Sequence, residues 1–363
     1  MLHKFLLSVL AVLFGCATSL PAANIWNLKS GSPGLKSAGH LAFGPDGILF
    51  VGDTKSAAIF AIATGDTEGN AQQAAVNVKN VDKAIATALG IEAANVEVID
   101  LAANPMSGNV YATVQQGDQP TLVRIDVAGN VAQVPLDEVE FSKVVLPNAP
   151  EDRVVGEGPR ARNRRAESIT DLAFVQGKVI VAGLSTGDSP STVREIVFPF
   201  AEADTGTRLE IYHGNHGRYE DTAAIRALVP FNIGGEPSLL AGFVCTPLVK
   251  FPISELSKEK IQGTTVAELG NRNQPLDMIV YQKGGKDFLL MANSARGVMK
   301  ISTENLADAK GITAPVGGTA GQPYETIEGL KGVVQLDRLN DTHAVILVKT
   351  DDGAQHLQTV ELP

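Results

Sequence analysis

Two histidines in the run HGNHGRYEDTA, His213 and His216, have a spacing suited to holding one metal ion between them. An HxxH pair can aim two imidazoles at the same cation, with His40, Asp171 or Asp221 available to complete the set. The same pair also reads as solvated histidines on a Gly-rich turn. A second set emerges from where polar residues stand relative to apolar runs. His40, Asp100, Asp171, Arg226, Asp277 and, by a looser alignment, Lys331 each come just before a short apolar run. If those runs surround one axis, three carboxylates and an imidazole converge at its mouth. Such a ring suits a divalent cation, Ca²⁺ through oxygen ligands or Zn²⁺ where histidines dominate. Arg226 and Lys331 would then neutralise the acids or face an anionic ligand. The same aspartates equally suit a structural task, accepting hydrogen bonds from turn amides and holding strands in place.

Other chemistries have less to stand on. Gly183-Leu184-Ser185-Thr186-Gly187 matches the G-x-S-x-G nucleophile elbow, but that turn needs a helix after it, and Asp188, Ser189, Pro190 and a β-rich run follow instead. There is no Walker loop, dinucleotide fingerprint, HExxH, CxxC array or CxxCH haem-attachment site. Arg160, Arg162, Arg164 and Arg165 sit among acids in a long connection and read as a solvated loop or, alternatively, an anion clamp.

The elements that must position these residues repeat. The stretch GHLAFGPDGILFVGDTKSAAIFAI at 39–62 recurs in degenerate form from Asp100, Asp171, Arg226, Asp277 and Gly332, each copy supplying three short strands separated by polar turns. Repeats of this length built from short strands signal a β-propeller, and six copies predict six blades. Fourth strands are expected at AAVNV near Ala74, VAQVPL near Val131, TRLEIY near Thr207 and TTVAEL near Thr264. The last copy ends at its third strand. Its outer strand is expected to be NIWNLK, residues 24–29, which would close the ring and remove a sheet edge. Three connections exceed a minimal loop: 67–95, which includes the helix-like VDKAIATALGI, 138–168 and 213–223. All three lead into a first strand, which places them on the face where a ligand mouth opens.

The chain has 363 residues, 36 glycines and 44% hydrophobic content, enough for one propeller domain over 24–363. A net charge of -10 argues against a nucleic-acid partner, because phosphate neutralisation needs a basic face. Residues 1–23 read as a signal peptide with a basic start, a short apolar core and a small-residue end, so the chain is expected to be exported, periplasmic or secreted. An alternative is a lipid anchor through Cys16, since Leu13-Phe14-Gly15-Cys16 approaches a lipobox. Cys245 alone then remains in the mature chain and reads as a packed thiol. No transmembrane segment is expected.

The first-to-second-strand units HLAFGPDGILFVGD and DLAANPMSGNVYATV resemble those of six-bladed propellers of the NHL, TolB-like and SMP-30/gluconolactonase group, over roughly 39–362. The resemblance implies the fold. For the gluconolactonase-like members it also implies a divalent cation on the channel axis that polarises a lactone or ester. In the register of the resemblance, ligand positions fall at Gly39, Ile99, Thr170 and Leu276, one residue before the ring. Two functions follow as expectations. One is an exported module binding a protein, glycan or small molecule at its loop-bearing face and channel. The other is a metal-dependent lactonase or esterase using a channel cation, with His40, His213 or His216 as base.

Overall fold

The structure, a computed structural model, describes residues 25–116, 119–158 and 161–363. The six apolar copies become six antiparallel sheets, since β-branched and aromatic side chains pack on a pleated surface and the intervening Gly, Pro, Asn and Asp residues reverse the chain. In the first copy Leu41–Phe43, Ile48–Asp53 and Ala58–Ala63 pair in succession. Their Gly-Pro-Asp-Gly turn needs Gly47, whose φ is 70° and whose added Cβ would meet the Asp66 carbonyl oxygen at 2.9 Å. The six first strands surround a common axis, and the molecule is a six-bladed β-propeller. Phe50, Val181, Leu240, Leu290 and Val345, all from second strands, are fully buried between blades, which explains why these runs lack polar alternation.

Blades are numbered here by sequence, but their order around the axis differs. The first strand of blade one packs between those of blades two and three, and that of blade two packs between those of blades one and six. The ring therefore reads two, one, three, four, five, six and back to two. The chain lays down three strands of blade one and builds blade two on the side facing blade six. It then returns as Val139–Val145 to give blade one its fourth strand. The 138–168 connection, expected as a loop on the ligand-mouth face, thus begins with the fourth strand of blade one.

Two outer-strand expectations change with it. The N-terminal segment does not close blade six: Lys29–Gly31 pairs outside Val139–Val145 in blade one. AAVNV does not complete blade one. Val78 instead exchanges backbone hydrogen bonds of 2.9 and 3.0 Å with Leu357, and the Val76 amide donates to Thr359 Oγ1, so this segment covers the outer edge of blade six. Val78→Pro removes one bond of that clasp. It is expected to cost about 1–3 kcal/mol, read as a lower urea midpoint, because the Leu357 carbonyl is left without its donor.

The remaining fourth strands form where expected, at Val131–Gln133, Thr207–His213 and Thr264–Leu269, and blade five adds Tyr324–Thr326. The helix expected near residue 81 spans Val81–Leu89, buries Val81, Ile85 and Ala86, and stops at Gly90 with φ 67°. It packs against the outer strands of blades two and six. Among the described residues no helix is long and apolar enough to cross a membrane. The signal peptide and Cys16 lie outside the described residues.

Candidate functional site

First strands carry their aspartates to the axis, where each carboxylate joins two blades. Asp100 Oδ1 accepts from its neighbour Leu101 N–H, and Oδ2 accepts from Leu41 N–H in blade one, both at 2.8 Å. Asp171 does the same with Leu172 at 2.7 Å and Leu228 of blade four at 2.6 Å. Asp277 takes Met278 at 2.8 Å and Leu336 of blade six at 2.9 Å. The fourth member is Asp337, which takes Arg338 at 2.7 Å and Ala103 of blade two at 2.8 Å. Beside Asp100 and Asp277 the strand register shifts by a residue, and such a bulge turns the backbone so that the side chain can reach its neighbour.

His40 and Arg226 stand beside junctions that Asp100 and Asp171 already join. His40 Nδ1 lies 3.6 Å from Asp100 Oδ2, and Arg226 pairs with Glu167 at 2.6 Å. Lys331, expected in the ring, lies on an exposed turn 3.8 Å from Glu328. Asp337 takes its place. It stands inside the run VVQLDRL rather than ahead of it, so an alignment on the residue before the apolar run passes over it. The usable signal was an acid within a first strand, present in blades two, three, five and six and missing from LAF of blade one and ALVPFNI of blade four.

The carboxylates are enclosed by protein yet keep an edge on the channel. Burial pushes Asp171 up to about 7, moderated by His40 and reinforced by Asp100. Burial likewise pushes Asp337 up to about 7 against its two backbone hydrogen bonds. Asp277 is held well above the ordinary range by burial and by the charges of Asp100 and Asp171. Burial alone would lower His40, but its hydrogen bond and attraction to Asp100, with Asp171 adding to them, leave it raised. The channel forms a cavity of about 450 Å³ lined by all four aspartates together with Phe43, Phe231, Asn232 and Arg338. That volume lies in the range of small-molecule sites, about 300–1,000 Å³.

The histidine pair lies elsewhere, on a hairpin at the edge of blade three. Thr207–His213 pairs with Arg218–Glu220, with Ile211 opposite Glu220, so His213 and Glu220 fall on one face. His213 Nδ1 is 3.0 Å and His216 Nδ1 2.8 Å from the Glu220 carboxylate, and the two rings lie 3.8 Å apart between centroids with their planes tilted by 39°. Burial would raise Glu220, but the bonds from His213, His216 and Arg218 hold it down to about 2. The third member of this group is therefore Glu220, and not His40, Asp171 or Asp221. Asp221 instead bonds Ser189 and Lys260. Among the described residues this is the one group of three His, Cys, Asp or Glu residues whose ligand atoms come within 4.8 Å of one another.

The motifs set aside from sequence have ordinary surroundings. Ser185 is buried and bonds Thr192 Oγ1 at 2.8 Å, ahead of a strand and not a helix. Arg165 donates to the Pro150 carbonyl, while Arg160 lies outside the described residues. Cys245 is a free, half-buried thiol on a left-handed turn.

No family model matches the chain, and no curated protein matches it. Solved structures give distant likenesses. The PQQ-bound form of aldose sugar dehydrogenase from Streptomyces coelicolor is 13% identical with a TM-score of 0.39, over 92% of this chain and 96% of that one. A chain described as an oxidoreductase (glucose dehydrogenase) from Thermus thermophilus is 11% identical with a TM-score of 0.37, over 92% and 100%. A chain of a mitotic checkpoint complex is 9% identical with a TM-score of 0.36, over 98% and 99%. Likeness at this level bears on neither substrate nor chemistry here.

Proposed function

We propose that this chain is an exported binding module whose central channel receives a small cationic ligand, such as a primary amine or a hydrated divalent cation. The observation that carries this reading is the convergence of Asp100, Asp171, Asp277 and Asp337 on one cavity of about 450 Å³. Burial holds protons on carboxyls that would otherwise be charged, and a cation entering the channel would take over the role of those protons. The lactonase reading has weaker support. It needs the carboxylates as direct ligands of a reactive metal, yet eight backbone amides already bond their oxygens and leave only the outward lone pairs, which suit an ammonium group or an ion that keeps its water.

Thermal-shift measurements on the mature chain with putrescine, spermidine, Ca²⁺, glucose and citrate test the reading. A cation at about 100 times its Kd stabilises by about 2.7 kcal/mol. The expected result is a rise in Tm with an amine or Ca²⁺ at pH 7.5, weaker at pH 5 and lost in Asp337→Asn. Stabilisation by citrate or glucose alone would overturn it, and metal-dependent hydrolysis of a lactone would favour the enzyme.

A further inference from the structure

We propose that His213, His216 and Glu220 form a binding site for a divalent transition metal, Zn²⁺ or an ion of similar ligand preference, separate from the channel. Two imidazoles and a carboxylate are a donor set suited to zinc, and three protein ligands leave a fourth position for water or a ligand. The spacing fits. Donor atoms about 2.0–2.1 Å from a tetrahedral zinc stand about 3.3 Å apart, whereas the two Nδ1 atoms lie 3.0 and 2.8 Å from Glu220 oxygens. Those contacts go to different oxygens, Oε2 and Oε1, and the donor atoms of the three residues lie within 4.8 Å of one another, so small side-chain rotations can bring them onto one ion.

Two further features favour it, and one opposes it. The hairpin tip is held before any ion arrives: Glu268, fully buried, accepts from the Gly214 amide and the Asn215 side chain, and Val316 N–H donates to the Gly214 carbonyl. His213 is 3% exposed, and its Nε2 has no hydrogen-bond partner among the described residues. Binding through Nδ1 requires the ring proton to move from Nδ1 to Nε2, and at His213 this leaves a buried N–H without an acceptor, a cost of about 1–3 kcal/mol that the metal bond must exceed. No net proton is lost from a neutral imidazole in this exchange. Finally, His216 is 44% exposed, so the group is open on one side for entry. Arg218 is the competitor, since its Nε donates to Glu220 Oε1 at 2.9 Å from a side chain 72% exposed.

Calorimetric titration of the whole mature chain with Zn²⁺, and the visible spectrum of the Co²⁺ form, test the site. The expected result is one ion per chain with a tetrahedral cobalt spectrum. His216→Ala, an exposed change that leaves the strands intact, should weaken binding by more than about 100-fold, since even partners of metal ligands are worth about 10–100-fold. Arg218→Ala should tighten it by freeing Oε1 and removing a like charge, whereas a purely structural ion pair predicts no gain in affinity. Absence of stoichiometric binding, or affinity unchanged in His216→Ala, overturns the proposal. Asp337→Asn should leave the Zn²⁺ titration untouched, so failure here is distinguishable from failure of the channel reading.

Discussion

Asp100→Ala is expected to lower stability by about 2–6 kcal/mol. Two buried amides, Leu41 N–H and Leu101 N–H, lose their acceptor together, and each buried donor left unpaired costs about 1–3 kcal/mol. The position matters because this carboxylate ties blade two to blade one, and blade two is also the blade that closes the ring against blade six. Asp100→Asn retains one carbonyl oxygen and should recover part of the loss. Urea unfolding of the two variants at one pH checks this. Equal, small effects below about 0.5 kcal/mol for both would mean that the ring does not staple the blades.

The second large effect is on pH. Asp171 and Asp337 bind a proton near pH 7 in the folded chain but near 3.8 when unfolded, and Asp277 is shifted in the same direction. Between those values the folded state holds more protons, so stability must fall as pH rises from about 4 to about 7. It is fully present below about 4. The slope is at most about 1.4 kcal/mol per pH unit per group, reduced where channel water screens the charge. His40, also raised, acts in the same sense. Glu220, held down to about 2, contributes stability above its ordinary range that is lost as pH falls toward 2. A stability maximum near pH 4–5 is therefore expected for the ligand-free chain. Asp337→Asn should flatten the decline between pH 5 and 7. Stability rising steadily to pH 8 would contradict the buried-ring account, whereas a slope abolished by an added amine or Ca²⁺ would support a cation as the natural occupant.

Much of this was legible along the chain. Strand periodicity and turn residues act over a few residues, so the six copies, the helix at Val81–Leu89 and three fourth strands could be read locally. Asp100, Asp171, Asp277 and His40 could be aligned because each opens an equivalent run. Asp337 escaped because it stands inside its strand, and Lys331 was drawn in by standing before it. Glu220 escaped for another reason: HxxH draws attention to its own short span, whereas the carboxylate reaches the pair only when the hairpin folds Arg218–Glu220 back on Thr207–His213.

By itself, then, the sequence determined six β-rich repeats and a set of polar residues at strand starts, because those depend on side-chain alternation and turn chemistry within a dozen residues. Only the tertiary structure decided the order of blades around the axis and the partners of the outer strands. An outer edge can be covered by any segment that reaches it with free amides and carbonyls. Val139–Val145 reached blade one and Val76–Val78 reached blade six, and neither choice is written in the pattern of the strands they cover. The same closure made blade-starting aspartates into a ring of carboxylates, since a charge at a strand start becomes a site only when other blades bring theirs to the same axis.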